Sequence, residues 1–302
     1  MNSIVNIESI AQVHEALGLE PPQHPLVSVL PIDERMVNYD YRDKTYVFGF
    51  YQVSFKSGIK GTITYGRNTY DFQEGTLVFS KPGQALQFRD KESTDGEVGW
   101  VLFFHPDLIR RSELGRTIDS YSYFSYEVHE ALHVSEVEKR ILNELVQKIE
   151  RELTHAIDRH TQKLIISNIE LLLDYCTRYY DRQFYVRTNM NQDLITRFEV
   201  LLHNYYVEDR AANEGVPTVR FCGEQLNMSA SYLSDLLKKE TGSNAQQLIQ
   251  KFIIERAKTQ LLNSSDHISQ IAYGLGFDYP QHFSKLFKSK TGMSPAEYRK
   301  RN

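Results

Sequence analysis

Two sets of residues in this chain could do chemistry by virtue of type and spacing. The first is a polar face written twice. Ser231, Ser234, Asp235 and Lys238 recur fifty residues later as Gln281, Ser284, Lys285 and Lys288, with Pro280 just ahead of the second set. Gln281 has the amide that pairs with adenine, and Lys285 suits guanine or a phosphate. Asp235 repels phosphates but can accept from cytosine N4. Lys288 lies a turn further along and suits the backbone of a duplex. The second set is His129-Glu130-Ala131-Leu132-His133, which fits H-E-x-x-H. On a helix its two imidazoles would share one face and hold zinc, with Glu130 as the base.

The elements that must carry the repeated face are helices. Tyr232 to Gly242 and His282 to Gly292 share Ser, Leu, Lys, Thr and Gly at matching positions. Self-similarity at a fixed offset marks a repeated unit. Leu233, Leu236 and Leu237 fall at i, i+3, i+4, as do Phe283, Leu286 and Phe287, so each copy is a helix with one apolar face. Ser229 caps the first, Pro280 suits the first turn of the second, and Gly242 and Gly292 close them. Shorter helices over about Thr218–Leu226 and Ile268–Gly274 precede the copies, with turns at Asn227-Met228 and Leu275-Gly276-Phe277. Helix, tight turn, helix is the helix-turn-helix motif. A helix from about Ala245 to Leu262 joins the two. At ~1.5 Å per residue it spans roughly 27 Å, close to the ~34 Å between successive major-groove faces.

Residues 193–301 resemble the AraC-type transcription regulators. The second motif carries the resemblance: Ile271-Ala272, Gly276-Phe277, Phe283-Ser284, Phe287-Lys288, Gly292, Pro295 and Tyr298-Arg299, with Ala257 and Leu261-Leu262 ending the connecting helix. Ile253 departs from it, since many members carry Arg there, which bears on how the connecting helix is braced. The resemblance implies double-stranded DNA as a partner and a cupin-like barrel ahead of the DNA-binding domain. It also implies dimerisation through helices between the two, and sequence discrimination by the first motif.

Composition sets bounds on these readings. At 302 residues two domains are expected. The formal net charge of −4 is unusual for a DNA binder. It divides as +2 over residues 193–302 and −6 over the rest. The second motif is basic, whereas the first is balanced between Pro217 and Ser243. A modest salt slope and reliance on dimerisation follow. No apolar run approaches the ~18 residues of a membrane span. The first residues lack the layout of a signal peptide. Only Cys176 and Cys222 are present, so a reducing cytoplasm is expected.

Before the repeated region the period changes. A helix over about Ser9–Leu17 has a capping box at Ser9 and Gln12. From Leu26 to Phe104 the period is two, with strands expected at Tyr46–Phe55, Thr62–Tyr65, Thr69–Phe72, Thr76–Ser80, Ala85–Phe88 and Val98–Phe104. Such spacing predicts a small barrel or jelly roll. Its interior is either a ligand site or a filled platform. The strands lack the His pair of metal-binding cupins, so no cofactor is expected. Two helices follow, one capped by Ser135 with Glu138, the other over about Thr161–Tyr180. The second is apolar on more than one face, so it packs on its own barrel or on a second copy. In residues 182–192 the apolar period lapses, which reads as a linker, and 208–215 reads as a loop.

The sequence therefore predicts an α+β chain. Residues 1–181 form a cupin-like sensor and dimerisation domain, and residues 193–302 an all-α domain with two helix-turn-helix motifs. The expected partners are double-stranded DNA, a second copy of the chain, a small-molecule effector and RNA polymerase. No membrane partner and no catalytic residue are expected. The alternative is a zinc hydrolase built on His129 and His133. Against it, Ser135 starts a new helix two residues after His133 and no third ligand is evident.

Overall fold

The computed structural model describes residues 3–33, 36, 44–57, 63–65, 68–70, 75–86, 98–127, 130–155, 158–186 and 188–301. They divide into two compact units, Met1–Tyr185 and Val186–Asn302.

In the first unit, alternating apolar residues build two sheets that face each other. Strands β1 (Ser3–Ile7), β2 (Val27–Pro31), β3 (Lys44–Phe48), β4 (Tyr51–Ser57), β5 (Ile63–Tyr65), β6 (Asn68–Tyr70), β7 (Thr76–Ser80), β8 (Ala85–Leu86), β9 (Val98–Phe104) and β10 (Leu132–His133) are present. One sheet has the order β10-β7-β4-β9-β2 and is antiparallel throughout. A second has the order β1-β3-β8, with β1 and β3 parallel, and β5 pairs only with β6. Between the larger two, Leu30, Val101 and Phe103 pack with Ile7, Tyr46, Phe48 and Phe50. Helix Ile10–Ala16 joins this core through Ile10 and Val13, after the expected capping box at Ser9 and Gln12. Among the described residues the sheets do not close into a barrel.

The run expected as one strand, Tyr46–Phe55, is two strands in different sheets. Gly49 is the reason. Its N–H donates to Ile7 O at 2.8 Å, and a Cβ there would lie 2.9 Å from the Glu8 carboxylate and 3.1 Å from its backbone oxygen. A side chain at this position would crowd Glu8, so glycine suits the close passage by which the chain crosses to the other sheet. β1 and β10 were not expected, since each pairs with a strand remote in sequence.

The outer face of the five-stranded sheet is covered by helices. Residues opposite one another in register share a face, so Tyr51 lies with Phe104, Val53 with Leu102 and Phe79, and Phe55 with Trp100 and Leu77. Phe79 stands 4.5 Å from Tyr123, 5.6 Å from Phe124 and 6.1 Å from Tyr180 between ring centroids. Helix Glu136–Thr154 starts at the expected Ser135–Glu138 capping box, and its Asn143 accepts from the Trp100 indole N–H at 2.8 Å. Helix Thr161–Val186 runs past the expected end at Tyr180. Its last turns are held by side chains: Tyr180 OH donates to Glu130 O, Gln183 Nε2 to Ala131 O, and Arg182 to both His133 O and Glu138. Between them this helix and the next, Thr188–Val207, occupy most of the stretch read as a linker. Ile165, Ile169, Leu172, Leu173 and Cys176 are buried, whereas Leu164 and Leu171 are exposed.

Phe79→Ala is expected to destabilise the chain by about 3–5 kcal/mol, because the ring anchors the sheet to both covering segments. Urea denaturation followed by near-ultraviolet circular dichroism checks this.

Candidate nucleic-acid interface

The second unit is built wholly of helices, and burial decides which face each one shows. Helices Val219–Leu226 and Ala230–Thr241 form the first motif. Helices Ile268–Gly274 and Pro280–Thr291 form the second. Helix Ala245–Asn263 connects them, and Pro295–Arg301 ends the unit. Asn227 turns the first motif at φ 57°, and Gly276 turns the second at φ 90°. Ser229 Oγ accepts from Tyr232 N–H at 3.1 Å, and Gly242 and Gly292 take positive φ at the helix ends.

Leu233, Leu236, Leu237, Phe283 and Phe287 are buried, which turns the intervening residues outward. Gln281, Lys285, Lys288 and Lys238 are exposed; Ser231, Ser234, Asp235, Pro280 and Ser284 are half-buried at the edges of the same faces. All nine residues expected to meet DNA thus lie off the core, four on one helix and five on the other. Lys238 and Lys288 stand in the last turns, where their charge also suits the helix dipole. The face argument left out Tyr279 and His282, exposed at the start of the second helix with ring centroids 5.4 Å apart. Tyr279 precedes Pro280, so a helical stripe counted from Pro280 does not reach it.

The residues that carried the family resemblance are mostly packing residues. Phe277, Phe283 and Phe287 form a row with centroids 5.6 and 5.7 Å apart, and Tyr298 meets Phe287 edge-on at 5.4 Å. Arg299 Nε donates to Leu261 O at 3.0 Å and Nη1 to Asp266 O at 2.8 Å. It thereby ties the last helix to the end of the connecting helix. Ile253, where the resemblance leads one to expect Arg, is buried. Arg256 supplies a cation to the brace instead: Nη2 donates to Tyr206 O at 3.4 Å and the guanidinium lies 5.1 Å over the Tyr206 ring.

The stretch expected as a loop contains helix Arg210–Glu214, closed by an Arg210–Glu214 ion pair at 2.8 Å. Arg210 also lies 5.1 Å over Tyr205 and 4.7 Å over Phe221. A cation resting against two adjoining rings helps hold a five-residue helix with weak intrinsic propensity.

The zinc alternative is overturned in its geometry. His129 lies outside the described residues. His133 is on strand β10, not a helix, so it does not share a helical face with position 129. It is buried, with Nδ1 3.3 Å from Thr76 Oγ1 and its backbone N–H donating to Gln183 Oε1 at 2.9 Å. Glu130 is buried too, and its Oε2 accepts from Glu127 N–H at 2.8 Å. Among the described residues no three His, Cys, Asp or Glu side chains gather as a metal site.

Comparison with known proteins bears on the second unit most directly. A family model described as a helix-turn-helix domain matches residues 222–301. The chain is 35% identical over 95 residues to "Histidine kinase P4" of Formosa agariphila, covering 32% of this chain and 7% of that protein. It is 40% identical over 75 residues to the raffinose operon transcriptional regulatory protein RafR of Pediococcus pentosaceus, covering 25% and 27%. It is 21% identical over 241 residues to the lactose operon transcription activator of Staphylococcus xylosus, covering 80% of each. The chain thus spans far less than two thirds of the first two relatives and most of the third. Residues 222–301 thus form a helix-turn-helix domain similar to those of proteins named as transcription regulators.

Proposed function

We propose that this protein is a sequence-specific, DNA-binding transcription regulator whose two helix-turn-helix motifs read successive major-groove faces of one duplex. The observation that carries this reading is the repeated outward face. Ser231, Ser234, Asp235 and Lys238 on one helix, and Pro280, Gln281, Ser284, Lys285 and Lys288 on the other, are kept off the core by buried neighbours at helical spacing. Helix N-terminal residues meet base edges in this motif, and later ones meet phosphates. Gln281 and Lys285 are assigned to bases and Lys288 to the backbone. The first motif, with balanced charge, contributes less affinity. The regulator role extends to a contact with RNA polymerase.

The first unit supports control by a small molecule. The two facing sheets act here as the cupin-like enclosure. Their facing surfaces include the buried serines 28, 54 and 80, and Ser80 Oγ has no hydrogen-bond partner among the described residues. A buried unsatisfied hydroxyl costs about 1–3 kcal/mol, which a ligand group could relieve. Homodimerisation is supported by Leu164 and Leu171, exposed seven residues apart on one helix and so on one face. A cytoplasmic setting is supported by two free, buried cysteines. Burial pushes the Cys176 thiol up and the Cys222 thiol to about 11, so both stay unreactive at neutral pH. No described helix is long and apolar enough to cross a membrane.

The DNA assignment is checked with duplexes selected by the protein from a random-sequence pool. Lys285→Ala with Lys288→Ala should reduce the salt slope of binding by about 1, for the lost phosphate cation Lys288, and lower affinity further through the lost base contact of Lys285. An unchanged slope and affinity, read by fluorescence anisotropy, defeats the assigned face. Ser80→Ala should leave the ligand-free melting temperature equal or higher. It should also shrink the shift given by any compound that a thermal screen finds to stabilise the unaltered protein. An undiminished shift excludes Ser80 from the effector site.

A further inference from the structure

We infer that Tyr205 and Tyr206 are positioning residues that fix the angle between the two reading helices; the inference rests on the DNA-reading proposal above. The two side chains leave the end of helix Thr188–Val207 in different directions. Tyr205 reaches the first motif: its ring lies 5.1 Å from Phe221, and its hydroxyl donates to Gly215 O at 2.9 Å. Tyr206 reaches the second motif: its hydroxyl donates to Leu275 O at 3.3 Å, at the turn before the second reading helix. The same ring lies 5.7 Å from Phe252 on the connecting helix, and its carbonyl takes the Arg256 guanidinium. One dipeptide therefore touches the first motif, the connecting helix and the second motif.

A second contact closes the arrangement. Gly276, next to Leu275, approaches Gly215 backbone to backbone. A Cβ on Gly276 would lie 2.5 Å from Gly215 C and 2.7 Å from Val216 N. The Gly215 carbonyl is the one that Tyr205 holds. The turn of the second motif is thus gripped at two adjacent residues, Leu275 by Tyr206 directly and Gly276 through the loop that Tyr205 anchors. A single connecting helix would leave rotation about its far end. Two further points of attachment on a turn remove that freedom. Because the contacts are internal to the second unit, they act on helix–helix geometry without touching DNA.

Tyr206→Phe keeps the ring and removes one donor; Tyr205→Phe with Tyr206→Phe removes both. Nitroxides at Lys239→Cys and Lys290→Cys, exposed positions on the two reading helices, report the distance between them by double electron–electron resonance. The unaltered background should give one narrow distribution and the double variant a broadened one. With a selected duplex holding both half-sites, Tyr206→Phe should lose about three- to fivefold in affinity, the scale of one hydrogen bond. Binding to a duplex holding only the first half-site should not change. Inserting one base pair between half-sites should penalise the variant less than the unaltered protein. An unchanged distance distribution, or equal losses on whole and half sites, overturns the inference. A pool that yields no preferred sequence defeats the DNA-reading proposal, and the distance distribution then decides by itself whether the tyrosines hold the helices.

Discussion

Burial of two phenylalanines a turn apart governs what the second reading helix can present. Phe283 and Phe287 are fully excluded from solvent, and rotating the helix to show another face would expose both. Each such side chain contributes about 1.5–3 kcal/mol when removed from water. Against that, a surface lysine gains or loses little by its position. The outward placement of Gln281, Lys285 and Lys288 is therefore a consequence of the core. Leu233 and Leu237 impose the same restriction on the first helix, and so the two polar faces repeat because the two apolar faces do.

That dependence explains why the second unit was legible. A helix that hides one stripe writes its period into the sequence, and short-range signals fix its ends. Thr218, Ser229, Asn244 and Pro280 start helices, and Gly242 and Gly292 end them, all within a few residues of the stripe itself. What escaped notice there depends on contacts remote in sequence. The helix Arg210–Glu214 is held where Arg210 rests against the adjoining rings of Tyr205 and Phe221. The period of residues 208–215 holds no trace of that. Likewise, the polar character of Arg182 and Gln183 reflects partners remote in sequence; both bind backbone carbonyls around fifty positions earlier.

The first unit was harder to read for a related reason. Alternation revealed most strands but not their partners. β1 pairs with β3 across some forty intervening residues, and in parallel, a register no turn signal announces. β10 is two residues long, and its place on the sheet edge is secured by the helix side chains that hold it. Nor does alternation distinguish a closed barrel from two facing sheets, since both bury every second residue. At Gly49 the chain passes from one sheet to the other, and a glycine between aromatic residues does not by itself say that the chain changes sheets.

Weak electrostatics gives the helix geometry its importance. Residues 193–302 carry a formal charge of only +2, so the second unit draws little from counterion release. On the proposed reading, affinity must then come from fitting both reading helices at once, and fitting both requires that their separation match the duplex. If the second helix binds as though tethered to the first, the gain depends on how narrowly the tether holds it. A loose tether spreads the second helix over many orientations and wastes most of the advantage; a rigid one keeps it only if the angle is right. A protein built this way is open to control without any change in its DNA-facing side chains. A small rotation where Tyr205 and Tyr206 meet the two motifs would alter the match, and those residues end a helix whose other end adjoins the boundary with the first unit. The physical opportunity for regulation therefore lies in the brace between the motifs more than in the residues that face the groove.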